Sequence, residues 1–362
     1  MSNSPRFFCV PDNLPSKDFY GRWEGLSLES GEHLNSYKLA YSTYGSLNES
    51  GDNVVWIFHA LTANSAPHEW WEGLVGEGKL FNFSQYFIVC VNVPGSCYGS
   101  TGPLDIDSKT GQPFYHLFPM FTTRDIVRAF QPLRKYLGIQ KIFIGIGGSL
   151  GGQQLLEWAI EEPELFINII PIATNAFHSA WGIAFNTTQR MAIEADGTWS
   201  QNNPEAGITG MKAARALALI SYRSYEGYET TQHNNNSQLQ ITQNGESNGG
   251  ASSYQRYQGE KLAKRFNAFS YYQLSKTMDS HHVGRGRTNA EDALKLIKAN
   301  TLVVAIDSDV LFPITEQQYL KSHINQAQLA VISSLFGHDG FLLEYKQLSH
   351  YILQFLSQHA TN

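Results

Sequence analysis

Short, nearly unbroken apolar runs recur along this chain, separated by stretches whose apolar residues return at helical spacing. YFIVCVNV (86–93), KIFIGIG (141–147), FINIIPIAT (166–174), TLVVAID (301–307) and QLAVISSL (328–335) are such runs. Continuous apolar character suits parallel strands covered on both faces. YKLAYSTYG (37–45) and NVVWIFHAL (53–61) also read as strands. Between and after them, TRDIVRAFQPLRKYLGI (123–139), SLGGQQLLEWAIEE (149–162) and YKQLSHYILQFLSQHA (345–360) read as helices. This alternation predicts the α/β class, with a doubly wound, mostly parallel central sheet and helices on both of its faces.

Residues 175 to 289 interrupt the rhythm. GITGMKAARALALISYR (207–223) and GEKLAKRFNAFSYYQLSKTMD (259–279) have helical patterns, and no convincing strand lies between them. The expectation is a helical lid at 175–289, inserted between core segments 1–174 and 290–362. Within it, QHNNNSQLQITQNGESNGGASS (232–253) has the polar, glycine-rich composition of a solvated loop. With 362 residues, 42% of them apolar and 16% charged, the chain can build a large core. A net charge of −6 argues against a nucleic-acid partner or an anionic membrane surface. No stretch is long and apolar enough for a bilayer. MSNSPRFFCVPDNLPSKDFY lacks the basic-then-apolar form of a signal peptide. Cys9, Cys90 and Cys97 have no paired spacing, so neither a disulfide framework nor a metal site is expected. A reducing, cytoplasmic setting follows as the expectation.

The chemistry concentrates at Gly147-Gly148-Ser149-Leu150-Gly151-Gly152. Gly-x-Ser-x-Gly alone is weak evidence, and Gly245-Glu246-Ser247-Asn248-Gly249 matches it equally well. Context separates the two. Ser247 lies in a polar run, whereas Ser149 follows an apolar strand and opens a helix, the setting of a nucleophile elbow. A serine on so tight a turn takes a strained backbone, and glycines at 147, 151 and 152 remove the collisions that side chains would cause. The helix turns its positive end toward the hydroxyl, and the Leu150 N–H points where an oxyanion would form. The alternative is a glycine-rich turn that only packs a helix on a sheet; the flanking strand and helix favour the nucleophile.

A nucleophilic serine needs a base, and the base an orienting carboxylate, in the chain order Ser, Asp or Glu, His. One late strand ends at Asp307-Ser308-Asp309 and the next at Gly337-His338-Asp339-Gly340. His338 is the preferred base. Asp309 is favoured as its partner over Asp307, which belongs to the strand end and would cap or brace the turn; that choice rests in part on the resemblance below. The second oxyanion donor should come from the loop after the third strand, His59-Ala60-Leu61-Thr62, with Leu61 N–H the candidate. His59 is expected to shape that loop. His281-His282 lacks ligand spacing for a metal.

HALTANSAPHEWWEGLVGEGK (59–79), VNVPGSCYGSTGP (91–103), GGSLGGQQLLEW (147–158), HHVGRGR (281–287), IDSDVLFP (306–313) and GHDGFLLE (337–344) form a series of blocks spread over nearly the whole chain. Together they resemble the blocks of the homoserine O-acyltransferases of the α/β-hydrolase superfamily. The resemblance implies an α/β-hydrolase fold and a two-step exchange in methionine biosynthesis. Ser149 takes acetyl from acetyl-CoA, a co-substrate with no bound cofactor, and passes it to the hydroxyl of L-homoserine. It implies that Arg215 grips the homoserine carboxylate, with Tyr222 two turns along facing the same cavity, and that Asp339 binds the amine. One fixed cation and one fixed anion suit a zwitterion. A surface ion pair is the plainer role for Arg215. A homodimer through the lid helices is carried over in the same way. Arg285 and Arg287 could attract CoA phosphates or brace the lid hinge, and are left out of the site.

The chain departs from the commoner pattern at Gly95-Ser96-Cys97 and at Leu150, where methionine is frequent. Relatives that use succinyl-CoA, or serine as acceptor, share the same blocks. Aromatic residues in the lid and the lack of an obvious extra cation near the oxyanion loop favour acetyl. The alternatives are a homoserine or serine O-succinyltransferase, a serine esterase, and a non-catalytic binding protein of the same fold.

Overall fold

A computed structural model describes residues 17–233 and 250–359. Cys9, the Ser247 pentapeptide and most of the polar 232–253 stretch lie outside the described residues. Strands β1 (Lys17–Ser27), β2 (His33–Tyr44), β3 (Val54–Phe58), β4 (Phe87–Val91), β5 (Ile142–Gly148), β6 (Phe166–Ile172), β7 (Asn300–Ile306) and β8 (Gln328–Ile332) form one sheet in the order β1-β2-β4-β3-β5-β6-β7-β8. The β1–β2 and β2–β4 pairs are antiparallel and the others parallel. Strand β1 carries no apolar run and has no counterpart in the sequence reading. It is an edge strand, paired with β2 alone, so its KDFYGRWEGLS sequence need not be apolar on both faces.

The central strands are covered on both sides. Trp56 and Phe58 of β3 pack into the core beneath helices α2 (Thr123–Tyr136) and α3 (Leu150–Glu161), which follow the short α1 (Pro67–Trp70). Val55 and Ile57, pointing the other way, join Ile144, Ile146 and side chains of the C-terminal helix. Helix α2 opens with a reciprocal cap: Asp125 N–H donates to Thr122 Oγ1, and Thr122 N–H donates to Asp125 Oδ2.

Between β6 and β7 the described chain is helical: α4 (Ala180–Glu194), α5 (Ile208–Tyr222), α6 (Tyr225–Gln232), α7 (Gly250–Ala263), α8 (Ala268–Asp279) and α9 (Ala290–Leu294). The helical pattern over 259–279 is divided between two helices. Asn267 accepts a hydrogen bond from Ser270 N–H and starts α8 afresh, because its side chain competes with helical continuation. After β7 come α10 (Ile314–His323), α11 (Gly340–Leu343) and α12 (Tyr345–His359). No helix among the described residues is long and apolar enough to cross a membrane.

A charged seam joins the segment after α8 to the core. Arg124 of α2 contacts Glu157 at 2.5 Å and Glu29 at 2.7 Å. Arg287 reaches Glu157 at 2.6 Å and Glu161 at 2.8 Å, and Arg285 reaches Glu29 at 2.7 Å. Arg285 and Arg287 thus serve as braces. Arg124, Arg287, Glu29 and Glu157 each meet two opposite charges, so removing any one leaves its neighbours only partly compensated.

Buried histidines add an acid sensitivity. Burial holds His59 and His178 down to about 4, and His281 to about 3, against an ordinary 6.5. All three stay neutral in the folded chain, while the unfolded chain takes up protons below 6.5. Stability therefore falls as pH drops from about 6.5 toward 4, by up to roughly 1.4 kcal/mol per pH unit for each histidine. Urea unfolding across that window is expected to show this slope, and His281→Gln should reduce it by about one proton.

Candidate active site

Strand β5 delivers the chain to Ser149, whose backbone sits at φ 56°, ψ −125°. A non-glycine residue there bears strain of about 1–3 kcal/mol. Its surroundings hold it in place. Ser149 N–H donates to Ile172 O at 3.0 Å, and Ser149 O accepts from Thr174 Oγ1 at 2.9 Å and Gln153 N at 3.1 Å. The first turn of α3 lies directly on the end of β3. A Cβ at Gly151 would stand 2.2 Å from Phe58 O, so only glycine permits that approach.

This closeness sets the serine beside the loop after β3. Neither Leu61 N–H nor Leu150 N–H has a backbone acceptor among the described residues. His59 is fully buried, and its Nε2 accepts from Val93 N–H at 3.0 Å. Its proton therefore sits on Nδ1, which donates to Ala60 O at 2.8 Å. Ala60 C=O and Leu61 N–H belong to one peptide plane, so His59 fixes the direction of the Leu61 donor.

His338 sits in a 3₁₀ turn, Gly337–Asp339, after β8. Its Nδ1 lies 2.7 Å from Asp309 Oδ2. The other oxygen, Asp309 Oδ1, accepts from Leu311 and Phe312 N–H at 2.8 and 2.9 Å. Asp307 instead accepts from Ser334 N–H at 3.1 Å, bracing the loop from β8. Phe312 stacks on the imidazole with 5.1 Å between centroids, and Phe341 meets it edge-on. Burial works against protonation of His338. The charge of Asp309, its hydrogen bond and the charge of Asp339 outweigh it, and the pKa is raised above 6.5.

Ser149, His338, Leu61, Arg215, Tyr222 and Asp339 line one cavity of about 490 Å³. Arg215, from the middle of α5, lies over the Tyr222 ring at 5.3 Å. The Tyr222 ring is 5.8 Å from that of His338. Asp339 already has a cation beside it: Arg223 Nε is 3.1 Å from its Oδ2. The sequence reading passed over Arg223, although it lies two turns beyond Arg215 on the same helical stretch.

One expectation is overturned. A cation does stand at the loop after β3: Arg265, from the connection between α7 and α8, donates to Thr62 O and Tyr98 Oη at 2.5 Å each. Its approach depends on packing across roughly two hundred residues of chain, which local pattern does not reveal. Lys261 and Glu69 line the same cavity and were likewise unseen.

Residues 53–345 match the alpha/beta hydrolase fold family. The chain is 50% identical to the homoserine O-acetyltransferase of Cyclobacterium marinum, covering 92% of this chain and 93% of that one. It is 43% identical to that of Trichormus variabilis, over 91% of each. Among solved structures, homoserine O-acetyltransferase from Bacillus anthracis superposes with a TM-score of 0.88 at 24% identity, covering 95% of this chain and 98% of that one. An acetylester hydrolase from Corynebacterium glutamicum gives 0.82 at 24% identity, over 94% and 96%, so the shape alone is common to transferases and hydrolases.

The raised His338 pKa is directly measurable. Following its ring proton by NMR, with His338→Ala for assignment, is expected to show titration above 6.5. In Asp309→Asn the midpoint should fall, because burial then meets less opposition.

Proposed function

The chain belongs to the homoserine O-acetyltransferase family of α/β hydrolases, and we propose that it moves acetyl from acetyl-CoA to the L-homoserine hydroxyl through an acyl-Ser149 intermediate. The observation that carries the reading is the shared cavity, which joins a strained serine, a carboxylate-held imidazole and a separate cation and anion. Ser149 Oγ attacks the thioester carbonyl while His338 Nε2 takes its proton. Leu61 and Leu150 N–H receive the negative oxygen. The C–S bond breaks and His338 returns the proton to the departing thiolate. In the second half the imidazole takes the homoserine hydroxyl proton, the new C–O bond forms, and Ser149 leaves with a proton from His338. Asp309 holds the imidazole in the tautomer that both halves need.

Arg215 grips the substrate carboxylate and Asp339 its ammonium, while Tyr222 walls the cavity between Arg215 and the imidazole. Two fixed points orient the hydroxyl toward the acyl-serine. Acetyl fits the acyl side because Arg265 is engaged by Thr62 and Tyr98, while Leu61, Phe341 and Leu342 offer apolar surface. A lid formed by residues 175–289 would keep water from the intermediate, which separates transfer from hydrolysis. The reading includes a cytoplasmic homodimer; exposed Ile220, Tyr225 and Tyr257 on the inserted helices support that contact.

Mass spectrometry after acetyl-CoA alone is expected to find acetyl on the Ser149 peptide, and homoserine should discharge it as O-acetylhomoserine. Discharge as free acetate with homoserine present would make the chain an esterase. Ser149→Ala should lower turnover by about 10⁴-fold or more while melting as the native protein does. Arg215→Ala should raise the homoserine KM at least about tenfold and leave acetylation of Ser149 intact.

A further inference from the structure

His338 is flanked by two carboxylates. Asp309 lies on the Nδ1 side, and Asp339 follows it in sequence within the same turn. Two uncompensated anions would bias an imidazole toward its protonated form, in which it cannot accept the serine proton. Asp309 is satisfied by two backbone N–H groups as well as by the imidazole. Asp339 has a different partner. Arg223, at the C-terminal end of α5, places Nε 3.1 Å from Asp339 Oδ2, with both side chains only partly exposed. The N–H is not aimed at the oxygen, so the contact is one of charge rather than a directed hydrogen bond. Packing fixes the arginine: its guanidinium lies 5.5 Å from the centre of the Phe336 ring, and Ser224 Oγ donates to Leu335 O at 2.5 Å. A Cβ at Gly337 would meet Arg223 C at 2.8 Å, so the end of α5 rests directly on the turn that carries His338.

We propose that Arg223 is a positioning residue that balances Asp339 beside the imidazole, leaving Asp339 one carboxylate oxygen for the acceptor's ammonium and His338 free to act as a base. The proposal rests on the roles given above to Asp339 and His338. Among the described residues, the other charged or titratable groups around the imidazole and Asp339 include Asp309 from the loop after β7, Arg215 and Tyr222 from α5, Tyr228 from α6, and Lys261, Arg265 and Glu69 on the same cavity wall. Arg215 already faces the Tyr222 ring and, in the reading above, the substrate carboxylate. Arg223 is thus the cation paired with Asp339 among the described residues. The consequence has a definite sign. Without Arg223, the Asp339 charge acts on His338 unopposed, the imidazolium is favoured, and higher pH is needed to reach the active base.

The test uses Arg223→Met, which keeps an apolar stem against Phe336 and deletes the charge, with Arg223→Lys as the charge-restoring variant. Burst acetylation of Ser149 by acetyl-CoA without homoserine reports His338 alone; the steady-state KM for homoserine reports Asp339. Arg223→Met is expected to move the acid limb of the burst upward by roughly half to one pH unit. It should also raise the homoserine KM about tenfold, with kcat at high pH changed by less than about threefold. Arg223→Lys should bring the limb back. If Arg223→Met does not fold, Arg223→Gln takes its place with the same expected shifts. A native acid limb and native KM in the folded neutral variant, while Asp339→Asn still raises KM, would overturn the role of Arg223 and leave the amine site standing. If Asp339→Asn also keeps a native KM, the amine site itself is wrong, and Arg223 loses its role with it.

Discussion

The approach of the first turn of α3 to the end of β3 governs the rest of the site. At Gly151 the helix backbone is so close to Phe58 O that no side chain fits between them. With that contact the chain at Ser149 takes a positive φ of 56°, and the first turn of α3 lies against His59, at the start of the loop that carries Leu61. The strain at one residue is small against the burial of the surrounding strands, so the core can hold the serine there. His59 completes the arrangement: its ring accepts from Val93 N–H and donates to Ala60 O, so it ties the Ala60–Leu61 peptide to the end of β4. Its burial keeps it neutral, which a clamp with one donor and one acceptor requires.

A second level of organisation concerns charge. The imidazole at the site has a carboxylate to orient it and another within the same turn. Carboxylates beside an imidazole favour its protonated form unless other groups compensate them. Asp309 draws on backbone N–H groups, and Asp339 on an arginine from the inserted helices. The inserted segment therefore supplies a cation beside Asp339 as well as cavity walls. It is tied to the core by the Arg124, Arg285 and Arg287 seam, which keeps that contribution in register.

How much of this was legible depends on the range of the interaction. Ser149 could be told from Ser247 because an apolar strand and an amphipathic helix flank only the first, and both features are local. The β-rich runs were visible for the same reason, since a strand buried on both faces must be apolar throughout. Strand β1 was invisible because an edge strand escapes that demand. The break between α7 and α8 was missed because one asparagine side chain ends a pattern that apolar spacing would continue. Arg265 was missed because its partners, Thr62 and Tyr98, are distant in sequence.

By itself the sequence determined the α/β class and singled out Ser149 and His338 as candidates, since short-range sterics and the burial that a strand or helix imposes on its own residues are local. Only the tertiary structure decided which aspartate faces His338, that Asp339 shares its charge with Arg223, and that Arg265 is already engaged. Those outcomes depend on distances of about 3 Å between side chains from separate elements, and Coulomb and hydrogen-bond energies at that range are set by packing, which no local pattern encodes.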